Sequence, residues 1–260
     1  MRRGPLQAWL TFPAVALVAL LVLPAVLMLV RLSLCLPARG AGFYQPGSFT
    51  LQHYARIFSG ENLPLVGFTL AFACAVVPGV LLAAWLLVWP MRDWRGGRLL
   101  AGVLLLVAPR LAGMLAPLVV FKRLLPPGVL TAWLAEVYLI TPYAALVLLM
   151  RLQAVDWSVL DAARGLGARS WQAFWRVAVP LALPGLWLAG QMALGWGLGA
   201  FLGPDILAGP EGRTLASDLH HQAFDNSRWP LAAAEGVVLL GLVAAVFLAR
   251  LPGRGGEAHP

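Results

Sequence analysis

A chain of 260 residues that is 60% hydrophobic and only 12% charged carries about half the charge of a soluble domain, for which about 25% is usual. That excludes an ordinary water-soluble core. The formal charge of +8 does not point to nucleic acid, because one lysine (Lys122) and eighteen arginines sit in small groups between apolar runs and build no basic face. Cys35 and Cys74 are far apart with no C-x-x-C spacing, so a disulfide framework is excluded and metal or redox chemistry is unsupported.

A helix of about 20 residues crosses a hydrocarbon core of about 30 Å. Six apolar runs reach that length: 6–30, 63–90, 99–121, 129–150, 177–202 and 230–250. Lipid offers no partners to backbone polar groups, so each is expected as a helix. The expected architecture is all-α, with six transmembrane helices in a single domain over 1–260. The first run follows Arg2 and Arg3 as in a signal peptide, but its 25 residues exceed the about 7–15 of a signal core. It is read as a retained first span.

The arginines set the expected orientation. With the N-terminus inside, inner segments hold eleven basic residues and four acidic ones, outer segments seven and five. The balance is +7 inside against +2 outside, with both termini inside. The outer loop 31–62 has room for a short interfacial helix around Phe49–Tyr54, in which His53 is read as solvated. Pro78-Gly79 is expected to kink the second run. The turn from Met91 to Arg98 is read as a positive loop that fixes topology.

Three charged residues lie well inside the runs, away from their ends. Arg110 lies at the centre of the third, behind Pro109, where an arginine costs at least about 2.5–3.5 kcal/mol. Glu136 and Glu235 each lie about 8–10 Å in from the outer end of their helices at helical rise. They are the candidate solute path, with a structural strut between Arg110 and one carboxylate as the other reading. The glycines of the fifth run, Gly195 and Gly199 at G-x-x-x-G spacing among them, point to close helix packing.

The segment 156–176 is a polar elbow between the fourth and fifth runs. Ser158 and Asp161 have helix-start spacing, Gly167 suits a left-handed stop, and Ser170 can open a second short helix. Ala162, Ala163 and Gly167 make a small surface that another protein's groove can approach, flanked by Arg164 and Arg169 for charge-assisted contacts. An amphipathic elbow lying on lipid headgroups through Trp171 and Trp175 satisfies the same chemistry.

Asp161-Ala162-Ala163, three residues, Gly167, nine residues, then Val177-Ala178-Val179-Pro180 resembles the EAA loop of ABC-importer permeases, EAA-x3-G-x9-I-x-L-P. Phe49-Thr50-Leu51-x-x-Tyr54, the stretch Gly203–Pro210 and Trp229-Pro230-Leu231-x-Ala233-Ala234 are similar to spermidine/putrescine-type permeases. The likeness covers most of the chain from residue 49 onward. It implies a type I importer permease fold and a role as transporter subunit, not enzyme. Its elbow would dock onto a dimer of cytoplasmic ATP-binding-cassette ATPases, and the subunit would pair with a second permease, in a heterodimer.

An external, periplasmic solute-binding protein would deliver the solute, and the bacterial inner membrane would be the setting. By position, Asp161, Ala162, Ala163, Gly167 and Ala168 would be the docking surface. No G-x-x-x-x-G-K-[ST] phosphate loop occurs in the chain, so no cofactor is expected on it, with ATP and magnesium held by the partner ATPase.

The chain departs from the family pattern in its short segment between the third and fourth runs and in Glu136 and Glu235. The carboxylates favour a polyamine or related organic cation. An opine, an aminophosphonate, thiamine or an anion are the other solutes of the same class. The rival reading is an intramembrane metalloenzyme built on Asp218, His220, His221 and Asp225, which lacks H-E-x-x-H spacing.

Overall fold

Long apolar segments whose backbone must satisfy itself become helices, and every regular element among the described residues is helical. The structure is a computed structural model describing residues 5–38, 42–60, 62–111, 113 and 115–248, with the backbone alone at 5–12, 14 and 109–111. Five described helical segments are long and apolar enough to cross a membrane: Val15–Ser33, Leu63–Met91, Val129–Leu152, Ser170–Leu198 and Trp229–Leu248. The chain is therefore read as membrane-embedded.

The third expected span differs. In place of one helix over 99–121 there are two, α4 (Gly96–Leu111) and α5 (Leu115–Leu124), with Gly113 between them at φ +85°. Pro109 removes a helix hydrogen bond in the last turn of α4, and Gly113 then takes a left-handed conformation costly for other residues. At 1.5 Å per residue the pieces are about 24 and 15 Å long, so neither alone spans a core of about 30 Å. Arg110 thus belongs to the last turn of α4, beside the break between the two pieces.

The chain folds as two compact units. The first comprises 1–64 and 218–241. It contains α1 (Pro5–Ser33) and α2 (Gln52–Ile57), the short helix expected near residue 50. No residue of the apolar window of α1 is buried within the chain. The loop after α1 is tied to α2 by polar contacts. Ser33 Oγ and Tyr54 OH lie 2.7 Å apart, His53 Nε2 is 2.9 Å from the Cys35 carbonyl, and Thr50 N–H donates to the Leu34 carbonyl at 2.8 Å. His53 therefore fastens the loop and is not simply solvated.

The second unit comprises 65–217 and 242–260. Here α3 (Leu63–Val88), α6 (Val129–Leu152) and α9 (Val179–Leu198) build the core. Val76, Val80 and Ala84 of α3, Ala132, Ala135, Ala144 and Ala145 of α6, and Ala189 and Ala193 of α9 are fully buried. Small side chains let the α6 and α9 backbones approach closely. At Gly185 a Cβ would lie 2.8 Å from that of Arg151 on α6, and at Gly195 one would lie 3.0 Å from the Phe247 ring, so α9 is closely packed at both glycines. Trp133 Nε1–H donates to the Ala75 carbonyl at 2.8 Å, just before Pro78.

Beyond α9, a π-helical turn (Pro204–Ala208) and a 3-10 turn (Pro210–Gly212) fold the chain back. They are pinned by Gly128 N–H on the Leu207 carbonyl at 2.7 Å and Thr214 Oγ on the Ala200 carbonyl at 2.7 Å. The helices α10 (Leu215–His220) and α11 (Trp229–Leu248) complete the order.

Candidate functional site

Between α6 and α9 the elbow folds as α7 (Ser158–Gly165), α8 (Ser170–Ala173) and a π-helical turn over Phe174–Ala178. Neither serine is the cap expected of it. Ser158 is the first residue of α7, and its N–H donates to Asp156 Oδ1 at 3.0 Å. Asp156 therefore starts the helix through an Asx turn, and hydrogen bonds from the Ser158 side chain and N–H hold its carboxyl below its ordinary pKa. Ser170 likewise opens α8, while Arg169 N–H is met by Gln172 Oε1 at 3.1 Å.

The stop at Gly167 is as expected, and its hydrogen bonds are complete. Gly167 has φ +90°. Ala168 N–H bonds the Ala163 carbonyl at 3.1 Å and Gly167 N–H the Arg164 carbonyl at 3.0 Å, the paired 6→1 and 5→2 bonds of a Schellman motif. Free carbonyls of α7 are satisfied while the chain reverses.

One face of α7 is seated. Leu160 is buried with Ala173 and Ala178, and Trp89, Trp157, Ala168, Phe174 and Val177 pack around them. Trp89 stands edge-on to Trp157 at 5.4 Å and to Phe174 at 5.8 Å, Trp85 stacks on Trp89 at 5.1 Å, and the Arg92 guanidinium lies 4.2 Å over the Trp89 ring. Trp157 Nε1–H also donates to the Leu152 carbonyl at 2.8 Å. The end of α3 and the turn after it therefore hold the elbow, a role that the sequence pattern does not assign to Trp85, Trp89 or Arg92.

The opposite face is open. Ala162, Gly165, Gly167, Arg164 and Arg169 are exposed, while Ala163 and Ala168 are half-buried. The Asp161–Arg164 ion pair of 3.4 Å is exposed and contributes little. Leu166 is 90% exposed, with Val159 and Trp171 also open. Val159, Ala162 and Leu166 stand at i, i+3, i+7, one stripe of a helix, so the outward face is more apolar than the alanine surface expected. That spacing is the signal the sequence holds for it.

The candidate solute-path residues stand apart from the elbow in the sequence and in their contacts. Glu136 of α6 is 2% exposed, and Gly203 N–H donates to its Oε1 at 3.2 Å. Any Cβ at Gly203 would lie 2.7 Å from that oxygen, so glycine is needed for this contact. Glu235 of α11 is 1% exposed and sits in the first unit, hydrogen-bonded to Asp218. Gln222 Nε2 donates to Asp218 Oδ2 at 3.3 Å, and Glu235 Oε2 is buried with no hydrogen-bond partner among the described residues. The Arg110 side chain lies outside the described residues. His221 Nδ1 contacts Asp225 Oδ2. Among the described residues no three His, Cys, Asp or Glu side chains are grouped to hold a metal ion.

No protein-family model matches the chain. Over 108 residues it is 32% identical to the spermidine/putrescine transport system permease protein PotB of Haemophilus influenzae, covering 42% of this chain and 38% of that one. It is 28% identical to PotB of Escherichia coli over 114 residues, 43% of this chain and 42% of the relative. To the putrescine transport system permease protein PotI of Escherichia coli it is 33% identical over 88 residues, 34% and 31% of the two chains. The chain thus spans about two fifths or less of the length of these curated relatives.

In fold it matches a chain of a bacterial ABC transporter involved in import of the acidic polysaccharide alginate, with TM-score 0.62 at 16% identity over 93% of this chain and 97% of the other. A bacterial alginate ABC transporter in complex with an alginate pentasaccharide-bound periplasmic protein gives TM-score 0.66 at 15% identity, over 94% and 91%. Sequence and fold converge: the chain resembles the permeases of ABC importers, and in sequence the spermidine/putrescine type.

Proposed function

We propose that the chain is a permease subunit of an ATP-driven importer and that the elbow 156–176 is where a cytoplasmic ATPase engages it. In this reading α4 and α5 together complete a sixth crossing, both termini are cytoplasmic, and a second permease and an external binding protein complete the assembly in a bacterial inner membrane. The solute is a small organic cation of polyamine type. That rests on the buried carboxylates Glu136 and Glu235 and on the names of the sequence relatives.

The observation that carries the reading is the elbow itself. A short helix has its inner face fixed on an aromatic seat and its apolar outer stripe exposed. A partner pressing on that stripe would move α3, α6 and α9 together, because the ends of all three are joined to the elbow. The test is Gly167→Arg. A Cβ at this position meets no neighbouring atom within 4 Å, but the left-handed conformation costs an ordinary side chain about 1–2 kcal/mol. The variant is expected to reach the membrane at normal levels, still bind the second permease, and lose transport-coupled ATPase stimulation by an order of magnitude. Normal coupling would remove the elbow from the mechanism.

A further inference from the structure

An apolar groove of about 600 Å³ opens in the second unit between α3, α4, α5 and α6, lined among others by Ala83, Met91, Trp94, Gly102, Leu105 and Tyr138. Neither Glu136 nor the outer stripe of the elbow lines it. The lining runs from residue 83 to 91 on α3 and the turn after it, and from 134 to 142 on α6, a length of about 12 Å at helical rise. A groove of this length and volume accommodates a slender hydrocarbon chain.

One end of the groove is marked by charge. Met91 and Trp94 fold over Gly102, where a Cβ would come within 2.4 Å of Met91 Cε and 2.8 Å of the Trp94 ring. Arg98 is four residues before Gly102, hence on the same face of α4 one turn nearer its start, and Arg95 follows Trp94 directly. Both arginines are exposed. Arg92, in contrast, is occupied by Trp89 and by Asp93 at 3.2 Å. Two open cations at the mouth of an apolar groove complement a molecule with an anionic head and a hydrocarbon tail.

We propose that this groove binds one anionic phospholipid, with an acyl chain along Ala83, Leu105 and Tyr138 and its phosphate on Arg95 and Arg98. The inference rests on the inside-positive orientation of the proposed function, which places this mouth at the leaflet where anionic lipids attract basic segments. Trp94, with an apolar ring and a polar N–H, suits the depth between head and tail.

The experiment is native mass spectrometry of the full chain in detergent, titrated with phosphatidylglycerol or phosphatidylcholine. The wild type is expected to retain phosphatidylglycerol roughly tenfold or more in preference to phosphatidylcholine. Arg95→Gln with Arg98→Gln, both exposed and remote from the core, should abolish the preference, and Ala83→Phe should weaken both lipids by filling the groove. A benzophenone amino acid in place of Leu105 should give a lipid-mass adduct in membranes. Equal retention of the two lipids, an unchanged preference in the double variant, or a protein adduct at position 105 from a second permease would each overturn the proposal. Failure of the elbow variant to uncouple would leave these lipid measurements unaffected, so the two readings fail separately.

Discussion

Gly167 decides the shape of the elbow because two carbonyls of α7 find partners only if the chain turns left-handed there. That much is legible in the sequence, since a glycine after a short polar helix has few other uses. The caps are not. Ser158 and Ser170 have helix-start spacing, but a carboxylate two residues before the first free N–H is a stronger acceptor than a hydroxyl, and Asp156 takes the role. Its lowered pKa makes a pH prediction. A depressed carboxyl stabilises the folded elbow above its unfolded value and stops doing so as pH falls through its folded value. The protection of the Ser158 amide from exchange should therefore exceed that of Asp156→Ala near neutral pH, and the difference should shrink as pH falls below about 4 and vanish only below the carboxyl's lowered folded value. A difference that persists in acid would mean the carboxylate is not the cap.

At the scale of elements, α7 is held by one leucine and a set of rings. Leu160→Ala removes a buried side chain, and such changes cost about 2–5 kcal/mol. Even the lower figure, about 2 kcal/mol, would lower amide protection across α7 roughly 30-fold if the elbow opens as a local unit. Val159→Ala on the open face should leave protection unchanged and weaken only ATPase binding. Equal losses in the two variants would show that the two faces are not distinct.

The seat itself is invisible in the sequence, because Trp85 and Trp89 read there as ordinary members of an apolar run and only folding brings them to Trp157 and Phe174. The third run fails for a related reason. Mean hydropathy over 99–121 is a property of side chains, whereas the break comes from the backbone of Pro109 and Gly113. The other long runs are legible because length and apolarity dictate a helix in lipid regardless of detail.

For the whole molecule, the two carboxylates carry the solute hypothesis. Glu136→Gln keeps an acceptor for Gly203 N–H, and Glu235→Gln keeps the size of the side chain, so the pair of changes replaces both carboxyls with little loss of packing. Uptake of a cationic solute by the assembled transporter should fall tenfold or more, equivalent to about 1.4 kcal/mol. Undiminished uptake would mean these carboxylates serve the fold alone. The sequence locates both but not their surroundings: Glu136 bonds to a backbone amide, and Glu235 bonds to Asp218, a residue that the sequence brings in only through the rival metalloenzyme reading.

The interruption between α4 and α5 imposes a condition on the environment at that depth. The final carbonyls of one helix and the first amides of the next leave the helical ladder, and an acyl chain gives them nothing to bond to. Such a gap persists within a bilayer only where protein or water reaches it. In the proposed sixth crossing, the level of Gly113, just beyond the turn that carries Arg110, must therefore be reached by water or covered by protein.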